Sequence, residues 1–197
     1  MACYSFNGFI PVIDPSSFVH DSATIIGDVI IGKDCYIGPG AVIRGDWGRI
    51  NIMDGCNIQE NCVVHMFPGK HISFESGAHV GHGAIVHGAN LKENCLIGMN
   101  AVVMDGAVIG KNSVVGALTF VKAEEIVPDN YLIAGNPGKL IKELSKEMIE
   151  WKTEGTALYQ GLPAVCHASL LPVSPLTSLE NDRPMHEMVY KTWKTRE

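Results

Sequence analysis

Large aliphatic or aromatic residues recur every six positions along most of this chain, and that period constrains the fold more than any other feature. The ladder begins at Val19, Ile25, Ile31, Ile37 and Ile43 and continues through Ile52, Ile58 and Val64. After a short insertion come Phe74, Val80 and Val86, and after a one-residue slip Leu91, Ile97, Val103, Ile109, Val115 and Val121. Four residues beyond most of them stands a small side chain, among them Ala23, Cys35, Ala41, Cys56, Cys62, Ala78, Ala84, Cys95 and Ala101. Glycine often follows the large residue directly, as at Gly32, Gly38, Gly81, Gly98, Gly110 and Gly116. A period of six is too short for helical repeats, whereas one large and one small inward residue suit a short strand followed by a tight corner. Three hexads then make one triangular coil, and coils stacked at about 4.8 Å pair each other's backbone groups. The pattern predicts an all-β chain, a left-handed parallel β-helix of hexapeptide repeats. A β-sandwich would not hold the same phase over so long a stretch.

The ladder is expected to end near Val121, with Tyr131 to Ala134 and the turn Gly135-Asn136-Pro137 closing a β-helix domain over 1–137. Leu140, Leu144, Met148, Trp151, Gly155 and Leu158 then recur at three- and four-residue intervals. That stripe predicts a C-terminal helix over 138–160 packed along the prism. Pro163, Pro172, Pro175 and Pro184 mark 161–197 as a proline-containing tail.

Composition excludes several partners. A formal charge of -6 offers no cluster of Lys and Arg for nucleic acid. No apolar run approaches a membrane span, and Met1 to Val12 lacks the basic start and unbroken apolar stretch of a secretory signal. Cys35, Cys56, Cys62 and Cys95 occupy one repeating inward position and lack the CxxC spacing of a zinc site. Small buried thiols fit a reducing, cytoplasmic setting.

The repeat also places the histidines. His65 follows Val64 and His87 follows Val86, so strand alternation points both outward. Three hexads plus a four-residue insertion within Met66 to Ser73 separate them, which stacks the pair on one face in successive coils, close enough to share an ion. His82 belongs to a neighbouring face, around a corner of the prism, and is expected to reach such an ion from an adjacent subunit of a cyclic trimer. Arg44 should lie one coil below His65 if the extra residues between Ile43 and Ile52 form a loop, and Gln59 one coil below His82. Asp46, Asn57 and Glu60 complete a polar surround suited to orienting ligands and a reactive water. His20, His71, His79, His167 and His186 are read as surface histidines.

Arg44-Gly45-Asp46, Asn57-Ile58-Gln59, His65, and His82 with His87 five residues later resemble the γ-class carbonic anhydrase family. The stretch from Gly98 to Ala107, and tail segments around Cys166 to Leu170 and Asn181 to Pro184, resemble a narrower bacterial branch that holds phenylacetate-degradation and carnitine-operon proteins. The resemblance implies a homotrimer with zinc, or iron or cobalt, ligated by His65 and His87 of one subunit and His82 of the next. It implies a metal-bound hydroxide attacking CO2 to give bicarbonate, with Gln59 placing the nucleophile and Arg44 and Asp46 as the supporting pair at the interface. Glu60 stands where the family usually has Asp, and Trp47 where strongly active archaeal members carry an acidic residue. The insertion is too short for their acidic loop, so proton export, and with it turnover, is expected to be slow, with Tyr159 on the helix as a substitute proton carrier. The competing functions are an acyl-CoA thioesterase using the same metal, a CoA-dependent acyltransferase suggested by the fold and the Gly135-Asn136-Pro137-Gly138-Lys139 segment, and a non-catalytic trimeric scaffold.

Overall fold

The computed structural model of the chain describes residues 2–185, 187, 190 and 191. His186 lies outside the described residues, as does part of the expected tail. The hexads fold as short strands joined by tight corners, and every strand pairing inside the prism is parallel, coil on coil. The result is a left-handed parallel β-helix. Face one stacks Val42–Ile52, Val63–His65, Ile85–His87, Val102–Val103 and Phe120–Val121. Face two stacks His71–Phe74, Asn90–Leu91, Val108–Ile109 and Ile126–Val127. Face three runs from Phe18–Val19 through Tyr36–Ile37, Asn57–Ile58, His79–Val80, Leu96–Ile97 and Val114–Val115 to Tyr131–Ala134.

All the ladder residues named above lie buried on the prism axis with the small residues between them. The ladder does not stop at Val121. Val127 and Ile133 keep the six-residue step and are buried, so the coils extend to Ala134. The extra residues between Ile43 and Ile52 do not form a separate loop either. They lie inside the continuous strand Val42–Ile52, whose pairing with Thr24–Ile31 shifts register between Gly27 and Val29. Gly27 sits at φ +75, and a Cβ there would meet the Gly45 carbonyl oxygen at 2.5 Å, so this irregularity depends on glycine.

The C-terminal boundaries also differ from expectation. Lys139–Glu143 is a strand, antiparallel to Tyr131–Ala134, and the helix spans Lys146–Ser169. The last coil has backbone donors and acceptors with no coil above them, and a returning strand satisfies them where a helix cannot. Ser145 caps the helix by accepting from the Met148 amide. Pro163 does not break the helix, because it is buried against the prism and packing outweighs the lost backbone bond. The buried helix residues are Lys152, Thr156 and Pro163 rather than the apolar stripe. Lys152 Nζ donates to Asn94 Oδ1 at 2.6 Å, Asn94 Nδ2 donates to Thr153 Oγ1 at 2.9 Å, and Gln160 Nε2 donates to the Gly55 carbonyl at 3.2 Å. The helix is therefore seated by polar contacts. No helix among the described residues is long and apolar enough to cross a membrane.

Candidate metal centre

On face one the strand register puts His87 directly over His65. The pairing of Ile43 with Val64 on the coil below places Arg44 beneath His65. Asp46 lies between the two: its Oδ2 accepts from Arg44 Nη2 at 2.8 Å, and its Oδ1 lies 3.0 Å from His65 Nε2. Burial works to raise the Asp46 pKa, but the hydrogen bonds from Arg44 and His65 outweigh it and hold the carboxyl below its ordinary range. Burial pushes His65 below the ordinary histidine range. Asp105, which the sequence reading missed, accepts from His87 Nδ1 at 2.9 Å. It was within reach of hexad arithmetic, standing eighteen residues, one full coil, beyond His87.

These contacts decide where the ring protons sit. A neutral imidazole has one donor and one acceptor nitrogen. His65 gives its proton to Asp46 and His87 gives its proton to Asp105, so the remaining nitrogens, His65 Nδ1 and His87 Nε2, both present lone pairs. They face each other at 3.3 Å. Two lone pairs in that position repel unless a cation lies between them. A tetrahedral ion with nitrogen bonds of about 2.0–2.1 Å spaces its ligands about 3.3–3.4 Å apart, so the pair fits zinc. Trp47 packs on His65 with ring centroids 4.9 Å apart, and Phe67 on His87 at 5.1 Å, walling the pair with exposed aromatics.

His82 stands apart, in the turn after His79–Val80 on face three. Among the described residues of one chain, no three His, Cys, Asp or Glu side chains converge on a single ion position. The register corrects one expectation here: Val80 pairs with Ile58, so Gly81 lies above Gln59 and it is Glu60 that stands beneath His82. His82 is two residues past its ladder residue and Gln59 only one. Glu60 Oε2 accepts from His82 Nδ1, and its Oε1 accepts from the Tyr36 hydroxyl at 2.9 Å. His82 thus repeats the pattern of the other two histidines, one nitrogen tied to a carboxylate and Nε2 left free. Its side chain is 47% exposed.

Gln59 is buried and fully engaged. Its Oε1 accepts from the His82 backbone amide at 3.2 Å, and its Nε2 lies 3.0 Å from Asn57 Oδ1 and 2.6 Å from His79 Nε2. His79 is therefore no surface histidine. The helix covers it, with Tyr159 edge-on at 5.0 Å, and burial, followed by the Lys152 charge, pushes it down to about 3. It stays neutral, accepts from Gln59, and so fixes which way that amide points. Tyr159 touches His79 and Tyr36, and burial raises its pKa. The remaining described histidines of that group behave as surface residues: His20 bonds Ser22, His71 is exposed, and His167 lies against Phe18.

The repeat matches the family model "Bacterial transferase hexapeptide (six repeats)" over residues 11–45 and 88–123. This defines the class, a hexapeptide-repeat β-helix protein. The chain is 44% identical over 184 residues to the carnitine operon protein CaiE of Escherichia coli K12, covering 93% of this chain and 94% of that protein. The CaiE protein of a Proteus species is 42% identical over the same length, with 93% of each chain covered. Among solved structures, a hexapeptide transferase family protein from Anaplasma phagocytophilum superposes with TM-score 0.80 at 33% identity, over 83% of this chain and 97% of the other. The N-acyltransferase AntD of Bacillus cereus, at 20% identity and TM-score 0.64 over 77% and 92%, shares the fold alone. The chain belongs to the CaiE family of hexapeptide-repeat proteins, in the γ-carbonic anhydrase-like branch.

Proposed function

We propose that this chain is a trimeric, metal-dependent carbonic anhydrase-like enzyme that hydrates CO2, with His65 and His87 of one subunit and His82 of the next holding the ion. One observation carries the reading: each of three histidines has one nitrogen tied to its own carboxylate, Asp46, Glu60 or Asp105, and the other left bare. Carboxylates behind histidines are the usual outer support of a metal centre, and surface histidines have no need of them. Three neutral imidazoles would leave the charge of a zinc ion uncancelled, so the ion would supply the Lewis acidity that ionises water near pH 7.

The chain's own groups do the rest. Arg44 holds Asp46, and Asp46 holds the His65 ring so that Nδ1 stays unprotonated. Asp105 does the same for His87. His79 and Asn57 hold the Gln59 amide beside the His82 backbone, where its carbonyl oxygen is the group presented toward His82. Trp47 and Phe67 pack against the rings of the histidine pair and limit their rotation.

The test uses two variants, His65→Ala and His82→Ala, each purified as the full chain with zinc. Each alone should bind little zinc and hydrate no CO2. Refolded together at equal amounts, they should recover about one quarter of the native sites, because one of four subunit pairings supplies an intact set. Recovery of neither zinc nor activity would sink the shared site; zinc-replete native protein that hydrates no CO2 would sink the reaction.

A further inference from the structure

A cavity of about 520 Å3 lies between face three and the C-terminal helix. Its floor continues the outward column above His79, where Leu96 and Val114 occupy successive coils. Beside them Gly98 carries no side chain, since a Cβ there would meet the Ala117 amide nitrogen of the next coil at 2.5 Å. The stacking of coils thus leaves a trough in the prism surface. The helix does not fill it: Thr156 is turned into the seat, Lys152 borders the space while its amine donates to Asn94, and Leu158, on the opposite wall, remains 45% exposed. Trp151 and Tyr159 complete that wall, and the polar end is formed by Gln59 and His82. Tyr190 ties the tail across the outside, its hydroxyl donating to the Trp151 carbonyl at 2.7 Å.

Ligand sites are commonly cavities of about 300–1,000 Å3, mostly apolar, with a few polar groups at one end. This one has that size and that polarity, and it opens at the residue assigned to complete the metal centre. We propose that it binds the hydrocarbon part of a carboxylic acid derivative, aliphatic or aryl, with the carboxyl carbon at the Gln59 and His82 end. CO2 alone has no use for such a volume. The polar end of the inference rests on the metal-centre reading; the apolar end does not.

The experiment titrates the zinc-loaded full chain with straight-chain carboxylates from acetate to octanoate and follows Trp151 fluorescence, with Trp151→Phe identifying the signal. Affinity should rise about fourfold per methylene, the gain from burying each one. Val114→Phe, which fills the floor, should flatten that dependence while zinc content is unchanged. Leu158→Ala should weaken octanoate and leave acetate as it was. The same titration on metal-stripped protein separates the two readings. A retained chain-length dependence with lower overall affinity supports both, whereas a retained dependence with unchanged affinity supports the cavity and removes the metal as its anchor. No chain-length dependence in the native protein, the same dependence in both variants, or a crystal structure with a partner subunit's side chains filling the space would overturn the proposal.

Discussion

Lys152 gives a prediction whose sign runs against intuition for a hydrogen-bonded charge. Lys152 is 3% exposed, and burial lowers its pKa from 10.5 to about 8, although its amine donates to Asn94. The folded pKa lies below the unfolded one, so between pH 8 and 10.5 the unfolded chain binds the extra proton. Stability from this group therefore rises with pH across that window, and the cost of burying the charge is fully present below pH 8. Lowering the pKa from 10.5 to about 8 corresponds to about 3 kcal/mol. Replacing the residue, Lys152→Met, removes that cost but leaves Asn94 Oδ1 and the Gly77 carbonyl without their donor, a penalty of about 1–3 kcal/mol that does not depend on pH. The two proteins should thus lie close together near pH 7. From pH 8 to 10.5 the native protein should gain about 3 kcal/mol on the variant, about 6–12 °C in relative melting temperature for a chain of this size. Cys95, pushed up to about 12 chiefly by its burial and held back in part by the Lys152 charge, loses stability for the fold above pH 9 in both proteins. Thermal or urea unfolding at one fixed protein concentration measures the difference. Parallel stability curves for the two proteins would refute the reasoning.

Asp105→Asn should weaken zinc binding about 10- to 100-fold by freeing the His87 ring, measured by chelator competition, with the melting temperature of the metal-free protein little changed. Stripping zinc from the native protein should lower the melting temperature in proportion to the logarithm of the free zinc concentration that is restored; no dependence on added zinc would argue against a site. Phe74→Ala, at the largest fully buried side chain, should cost about 3–5 kcal/mol in urea unfolding. Gly27→Ala should cost about 1–3 kcal/mol, since it forces a Cβ onto a left-handed backbone beside the Gly45 carbonyl, and the same assay reads it.

The prism was legible because its period is set by local geometry: each hexad buries one large and one small residue whatever lies elsewhere in the chain. His87 over His65 followed from the same counting. What counting could not reach was anything decided by an element lying across the coils. His79 alternates outward like a surface residue, and only the helix on top of it makes it buried and neutral. The helix hid its own seat, since Lys152 and Thr156 read as solvent-facing until Asn94 and Gly77 are placed beneath them. Lys139–Glu143 shows no alternation of burial, with every residue exposed, so Leu140 reads as the first member of a helical stripe. Asp105 differs from Asp46 and Glu60 in lying a full coil beyond the histidine it holds, outside the segment whose polar residues cluster in the sequence.

That returning strand sets the length of the molecule. A parallel solenoid has no internal signal to stop, and each free end is a template on which another chain's end could stack. Here the chain lays its own strand antiparallel over the last coil and presents an outer edge bearing Lys139, Lys142 and Glu143, all exposed. Growth by stacking at that end is closed. What remains open for contact with other molecules is the sides of the prism, the surface that carries His65, His82 and His87.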